Sequence, residues 1–230
     1  DIDYVAMAQY CSNVNLTCVM PMPYGLRYEG LASGLYEELN QKSVTGAIAF
    51  MRGSGYRLAC VEEGRFHLCV MSYLAFEYYE QQGKDIQMVT AFGPRSYVEQ
   101  HRIFVRPDFD GNWQGCKVGL DTSSVDQELL TRFCFADKPI QYVPIIYSQL
   151  VPFLHNGVID AGVWSADMLP EGLSYYPMPC LDEQEKDTVA VLACRKSDNV
   201  TAQLVRKILS VENVQNIQQQ VMQKEIIPRY

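Results

Sequence analysis

The sequence predicts an α/β fold in two lobes, each built on a mixed, mostly parallel sheet with flanking helices and facing the other across a cleft. Three observations carry this expectation. Short apolar, β-branched runs alternate with segments of helical periodicity, the pattern of βαβ units. The texture changes near residue 96, where "YVEQHRIFVRPDFDGNWQG" gives an extended segment and then a turn rich in Asp, Gly and Asn. Finally, the late run "TVAVLACRK" (188–196) is apolar and β-rich like the early strands, so the chain returns to the first unit after building a second.

The elements follow in order. "YVAMAQYC" (4–11) predicts a short helix and "NLTCVMP" (15–21) a buried strand. The loop "MPYGLRYEG" leads into a helix over 30–41, where Leu31, Leu35 and Leu39 recur at helical spacing. "GAIAFM" (46–51) is the second strand, "RGSG" a turn, and "YRLACVEEG" a helix stopped by Gly64. "FHLCVMS" (66–72) is the third strand; it feeds the aromatic-rich helix "YLAFEYYEQQG", and "IQMVTAFG" (86–93) is the fourth strand.

In the second unit "CKVGLD" (116–121) predicts a strand, "TSSVDQELLTRFCF" a helix, "IQYVPI" (140–145) a strand and "YSQLVPFLHN" a helix that accommodates Pro152. In "NGVIDAGVWSADM" (156–168), Asn156 and Gly157 end a helix, and Val158 to Val163 make a buried strand with Asp160 near its start, holding a turn or an amide. "LSYYPMP" (173–179) is a further strand, "CLDEQEKD" a polar loop, and the tail from Thr201 to Ile226 mostly helix. The expected lobes are 1–100 with 188–230, and 101–187, joined by crossing strands near 96–106 and 186–196.

A chain of 230 residues with 48% hydrophobic content can bury a substantial core. No stretch approaches the roughly 20 apolar residues that span a bilayer, and "DIDYVAM" lacks the basic start and apolar centre of a signal peptide. A formal net charge of -8 disfavours direct attraction to nucleic acid. The eight cysteines contain no C-x-x-C pair and mostly sit in apolar runs, which reads as buried free thiols in a reducing cytoplasm. His67, His101 and His155 are isolated from one another and from cysteine, so no metal site is expected.

In open parallel sheets, ligands bind at the carboxyl ends of strands, where helix N-termini offer free amide donors. The candidate ligand-binding residues at such junctions are Tyr24, Gly25 and Arg27; Gly53 and Ser54; Ser72 and Tyr73; Thr122, Ser123 and Ser124; Tyr147; and Trp164, Ser165 and Asp167. Taken singly, Ser, Thr and Asp at a helix start read as caps, and Ser123 with Asp126 matches the S-x-x-D capping pattern. Their position at facing strand ends is what makes them candidates. Arg27 and Arg52 offer bidentate donors to an anion or salt-bridge partners to a nearby glutamate. "RGSG" matches neither a phosphate loop nor a dinucleotide fingerprint, so no cofactor is expected. The chain also lacks G-x-S-x-G and H-E-x-x-H, and the reading is non-enzymatic.

The order of elements, with "KVGLDTSS" and then "LVPFLHNGVIDAGVW", resembles the two-lobed type 2 periplasmic binding proteins. In that family a helix ending in L-x-x-G precedes a strand of the form [V/I]-D-A-[G/A]-[V/I], matched here by Leu154 to Gly157 and Ile159 to Val163. The same fold serves as the effector-sensing part of bacterial transcription regulators, and the sequence is similar to the C-terminal domain of the YhfZ family. The resemblance implies a sensor for a small anionic or hydroxylated metabolite, bound in the inter-lobe cleft, working as a homodimer. A helix-turn-helix placed before Asp1 would contact DNA. A solute receptor of a transport system, or an enzyme on the same scaffold, are the alternatives.

Overall fold

A computed structural model describes residues 14–40, 44–165, 167, 169–179 and 185–230; the helix expected over 4–11 and the centre of the loop after 179 lie outside them. Two five-stranded sheets share one plan. In the first, β1 (Val14–Met20) lies between β2 (Val44–Phe50) and β3 (Leu68–Ser72), parallel to both. Beyond β3 the sheet continues with β10 (Ala190–Cys194) and β4 (Gln87–Ala91), and both pairings made by β10 are antiparallel.

The second sheet repeats this with β6 (Lys117–Leu120) between β7 (Gln141–Pro144) and β8 (Ala161–Ser165), again parallel. Then β5 (His101–Val105) pairs antiparallel with β8 and with the edge strand β9 (Ser174–Pro177). The sheets are mixed as expected, with parallel and antiparallel pairings evenly divided. The antiparallel strands β5 and β10 are the two that follow a passage between sheets, so no crossover helix sets their direction.

Each sheet is covered on both faces. On the first, α1 (Leu26–Leu39), α6 (Asn199–Ile208) and α7 (Val211–Met222) close over one face, contributing Leu31, Leu35, Leu39, Val205 and Val214. The other face is covered by α2 (Ser54–Glu62) and α3 (Tyr73–Gln81), through Leu58, Val61, Phe76 and Tyr79. The second sheet packs Leu130 and Cys134 of α4 (Val125–Cys134) on one face, and Leu150 and Leu154 of α5 (Leu150–His155) on the other. Strands buried on both faces must be apolar throughout, which is why "LCVMS" and "AVLAC" show no alternation.

Three expectations shift. Helix α1 begins at Leu26, not at 30, and this places Arg27 in its first turn. Strand β8 begins at Ala161 because the Val158 and Ile159 amides donate to the Phe153 carbonyl (2.9 and 3.4 Å), closing α5 beyond the left-handed Gly157. The tail splits at Ser210, whose hydroxyl accepts the Asn213 amide (3.2 Å) and starts α7. The six described cysteines are free and buried, and burial pushes the Cys69 thiol up to about 12. Among the described residues no helix is long and apolar enough to cross a membrane.

Helices α1 and α7 pack backbone against backbone, and two glycines make this possible. A Cβ on Gly34 would stand 2.8 Å from the Val214 Cα and carbonyl oxygen, and one on Gly30 2.9 Å from the Gln218 Cα. Backbone cannot yield as a side-chain tip can. In an exposed helix Gly→Ala stabilises by about 1 kcal/mol, whereas overpacking a tight contact costs about 1 to 3 kcal/mol. Gly34→Ala is therefore expected to lower the urea midpoint at unchanged slope; a raised midpoint would show that the helices part without cost.

Candidate ligand cleft

The carboxyl ends of the parallel strands of the two sheets meet. Gly53 turns β2 into α2 with φ of 71°, and a Cβ there would lie 2.7 Å from the Ser123 carbonyl oxygen at the start of α4. This contact and the left-handed backbone both require glycine. The Val125 amide donates to Ser54 Oγ (3.3 Å), and Arg52 reaches Ser148 (3.4 Å). Deeper in, the Ser72 hydroxyl donates to the Asp126 carboxylate. At the other side of the junction Arg27 donates to Asp167 (2.5 Å), to Glu99 (2.5 Å) and to the Arg95 carbonyl.

Between these contacts lies a cavity of about 70 Å³. Pro21, Met22 and Tyr24 after β1 form one wall, and Asp121, Ser124, Asp126 and Gln127 form another. Its polar lining is built into helices. Arg57 on α2 is 3% exposed and donates to the Val70 and Met51 carbonyls (both 2.9 Å) and to the Tyr97 hydroxyl (3.3 Å). Asp121 accepts from the Ser123 amide (2.9 Å) and hydroxyl (2.6 Å) with one oxygen, and from the Tyr147 amide (2.8 Å) with the other. Gln127 ties α4 to β8 through the Val163 carbonyl (2.6 Å).

Burial raises the Asp126 carboxyl above the usual carboxylate range, against the hydrogen bond from Ser72 and the nearby His101 and Arg57. His101, also on the wall, pairs with Asp187 (2.6 Å). A second recess of about 40 Å³ adjoins the first through Tyr24, Tyr28 and Tyr147, and adds Gly25, Arg27, Trp164, Ser165 and Asp167. Tyr147 stacks on Trp164 with centroids 3.9 Å apart, and its hydroxyl accepts the Ser165 amide (3.0 Å). Burial drives the phenols of Tyr28, Tyr97 and Tyr147 upward, so they remain neutral hydrogen-bonding groups at physiological pH.

Of the fourteen residues expected from sequence, Tyr24, Gly53, Ser54, Ser124 and Tyr147 line the larger cavity, while Gly25, Arg27, Trp164, Ser165 and Asp167 line the recess. Four are placed otherwise. Ser72 is wholly buried, its oxygen spent on Asp126 and as the cap of α3. Tyr73 packs edge-on against Phe76, Thr122 is exposed, and the Ser123 hydroxyl turns back to Asp121. The S-x-x-D pattern forms no capping box: α4 starts at Val125, one residue after Ser124, and Asp126 is drawn to Ser72 instead.

Sequence reasoning passed over Tyr28, Arg57, Tyr97, His101, Asp121, Asp126 and Gln127. A signal existed for some of them. Arg57 precedes Val61 by four residues, and Asp126 precedes Leu130 by four, so both charges lie on the core-facing stripe of their helices. A charge on a buried stripe demands an explanation that a surface charge does not. Among the described residues no group of three or more His, Cys, Asp or Glu is disposed to hold a metal ion.

Comparison with known proteins agrees with this architecture. The chain is 30% identical over 234 residues to YhfZ of Escherichia coli (strain K12), covering all of this chain and 76% of that protein. The crystal structure of YhfZ from Shigella flexneri superposes with a TM-score of 0.83 at 31% identity, over 99% of this chain and 98% of the other. At the level of fold alone, the periplasmic aliphatic sulphonate binding protein SsuA of Escherichia coli matches with a TM-score of 0.67 at 13% identity, over 92% of this chain and 75% of that one. The substrate binding protein of a methionine transporter from Streptococcus pneumoniae matches with 0.65 at 11% identity, over 94% and 96%. The fold is thus the two-lobed one of periplasmic binding proteins, and with residues 3–230 matching the YhfZ C-terminal domain, the chain belongs to that family.

Proposed function

We propose that this domain senses a small molecule held between its two lobes and serves as the effector-binding part of a cytoplasmic, dimeric transcription regulator, with DNA contacted by a separate helix-turn-helix. In this reading residues 1–100 with 188–230 form one lobe and 101–187 the other. The observation that carries it is the polar cavity where the sheets meet. Burying Arg57 and Asp126 in a wall costs several kcal/mol per charge against an apolar filling of the same space. A purely structural junction has no use for that cost; a binding site does. The formal charge of -8 is no obstacle, since the sensor need not touch DNA.

Signalling then follows from closure. Arg27 with Asp167, Ser72 with Asp126, and Ser54 with the Val125 amide are contacts that exist only while the lobes are together. A ligand touching both walls adds differential affinity for that arrangement and shifts the population toward it, and a neighbouring domain coupled to lobe orientation reads the shift. The fold relatives named for sulphonate and methionine transport bind small solutes by name, which supports the ligand half of this reading and not the regulatory half.

Two outcomes are expected. Of the two tryptophans, Trp113 packs with Phe109, Phe135 and Tyr176 away from the cleft, so Trp113→Phe leaves Trp164 as a reporter stacked on Tyr147. Titration of that variant with a broad metabolite library should change Trp164 emission, with stabilisation of about 2.7 kcal/mol at a hundredfold excess over Kd. No response from any compound would contradict the proposal. Separately, Asp167→Asn removes one charged partner of Arg27 and should cost about 1.5 to 3 kcal/mol in stability and increase the radius of gyration in X-ray scattering. Unchanged values of both would mean that the pair does not hold the lobes together.

A further inference from the structure

The larger cavity carries two opposite buried charges, Arg57 and Asp126, that form no ion pair with each other. Arg57 is 3% exposed and Asp126 5%, and both stand on its wall. Among the described residues, no carboxylate oxygen lies within 4.0 Å of the Arg57 guanidinium, whose partners are two carbonyls and a phenol. A guanidinium has five N–H donors, and three hydrogen bonds leave donors to spare. Asp126 is the complement: one carboxylate oxygen accepts from Ser72, and among the described residues no donor reaches the other. The remaining ionisable groups of the wall are otherwise engaged, with Asp121 held by two amides and a hydroxyl, His101 paired to Asp187, and Arg52 directed at Ser148.

A buried charge without a counter-charge is costly, and a ligand supplying that counter-charge recovers the cost as affinity. A simple anion would satisfy Arg57 and leave Asp126 facing added negative charge; a simple cation would do the reverse. Resting on the cleft reading above, we propose that the ligand is a small zwitterion of the α-amino acid class, its carboxylate received by Arg57 and its ammonium by Asp126. The aromatic rings of Tyr24, Tyr28 and Tyr147, which line both the cavity and the adjoining recess, face the side chain. A cavity of about 70 Å³ is roughly half the size of the engineered apolar cavity that accepts benzene, so without further opening a compact side chain is preferred.

The test compares matched probes on the wild-type domain by calorimetry: the twenty standard amino acids, and for each binder its des-amino carboxylate and its decarboxylated amine. At least one amino acid should bind, with each matched analogue at least tenfold weaker. In Arg57→Gln and Asp126→Asn, folded as judged by circular dichroism, that amino acid should lose at least tenfold. A carboxylate or a neutral polyol that binds as tightly as any amino acid would overturn the zwitterion assignment and leave the cleft reading standing. So would silence of all twenty amino acids if another metabolite still alters Trp164 emission. Silence of the amino acids and of the whole library would overturn both. The wild-type comparison decides the matter even if a variant fails to fold.

Discussion

Arg27 takes its carboxylate partners from outside its own helix: Glu99 follows β4 of the first sheet, and Asp167 follows β8 of the second. Most of what positions the cleft depends on this junction. Because α1 starts at Leu26, Arg27 projects from its first turn toward the loop beyond β8, and the same turn presents Tyr28 to the cavity. Asp167 also accepts the Ser165 hydroxyl (2.5 Å) and the Glu99 amide (3.3 Å), so the end of β8, the passage between sheets and α1 converge on one carboxylate. Of the two roles the sequence left open for the Arg27 guanidinium, anion donor or salt-bridge partner of a glutamate, the structure shows the second, with Asp167 as a further acidic partner. Its work in this arrangement is to hold the lobes.

With Arg27 committed, the unmatched charge of the junction passes to Arg57 and Asp126, one on each wall. The division is physically sensible. In the proposed reading, a pair that closes the site needs partners of its own, whereas a pair that recognises a ligand must lack them. Stiff elements support the second pair: Arg57 is pinned by two backbone carbonyls, and the first turn of α4 is tied to β8 through Gln127. Groups held in place before binding cost less entropy when they bind, which favours recognition of a small ligand with few atoms to spend.

Most of the fold was legible because burial on both sheet faces makes strands apolar throughout, and such runs as "LCVMS" and "AVLAC" stand out in any reading. Boundaries failed where backbone bonding overruled pattern. Val158 and Ile159 look like strand, yet their amides close α5. Gly30 looks like a loop residue, yet it sits inside α1 where α7 approaches too closely for a side chain. The strand-end rule found most of the recess but only five of the sixteen residues of the cavity wall. It missed Arg57 and Asp126 because each lies one or more residues into a helix, where a charge normally reads as a solvated face or a cap. Their spacing to Val61 and Leu130 marks the core-facing stripe, and the packing of the opposite sheet shows what lies against them.

A small molecule that binds between the two sheet ends and draws them together must change both walls. Backbone hydrogen exchange, measured with and without a compound that alters Trp164 emission, tests this most directly. Added protection is expected in both walls at once, in α2 around Arg57 and in the first turn of α4 around Asp126, with the outer ends of α6 and α7 unaffected. Protection confined to one wall, or lying elsewhere on the surface, would contradict it.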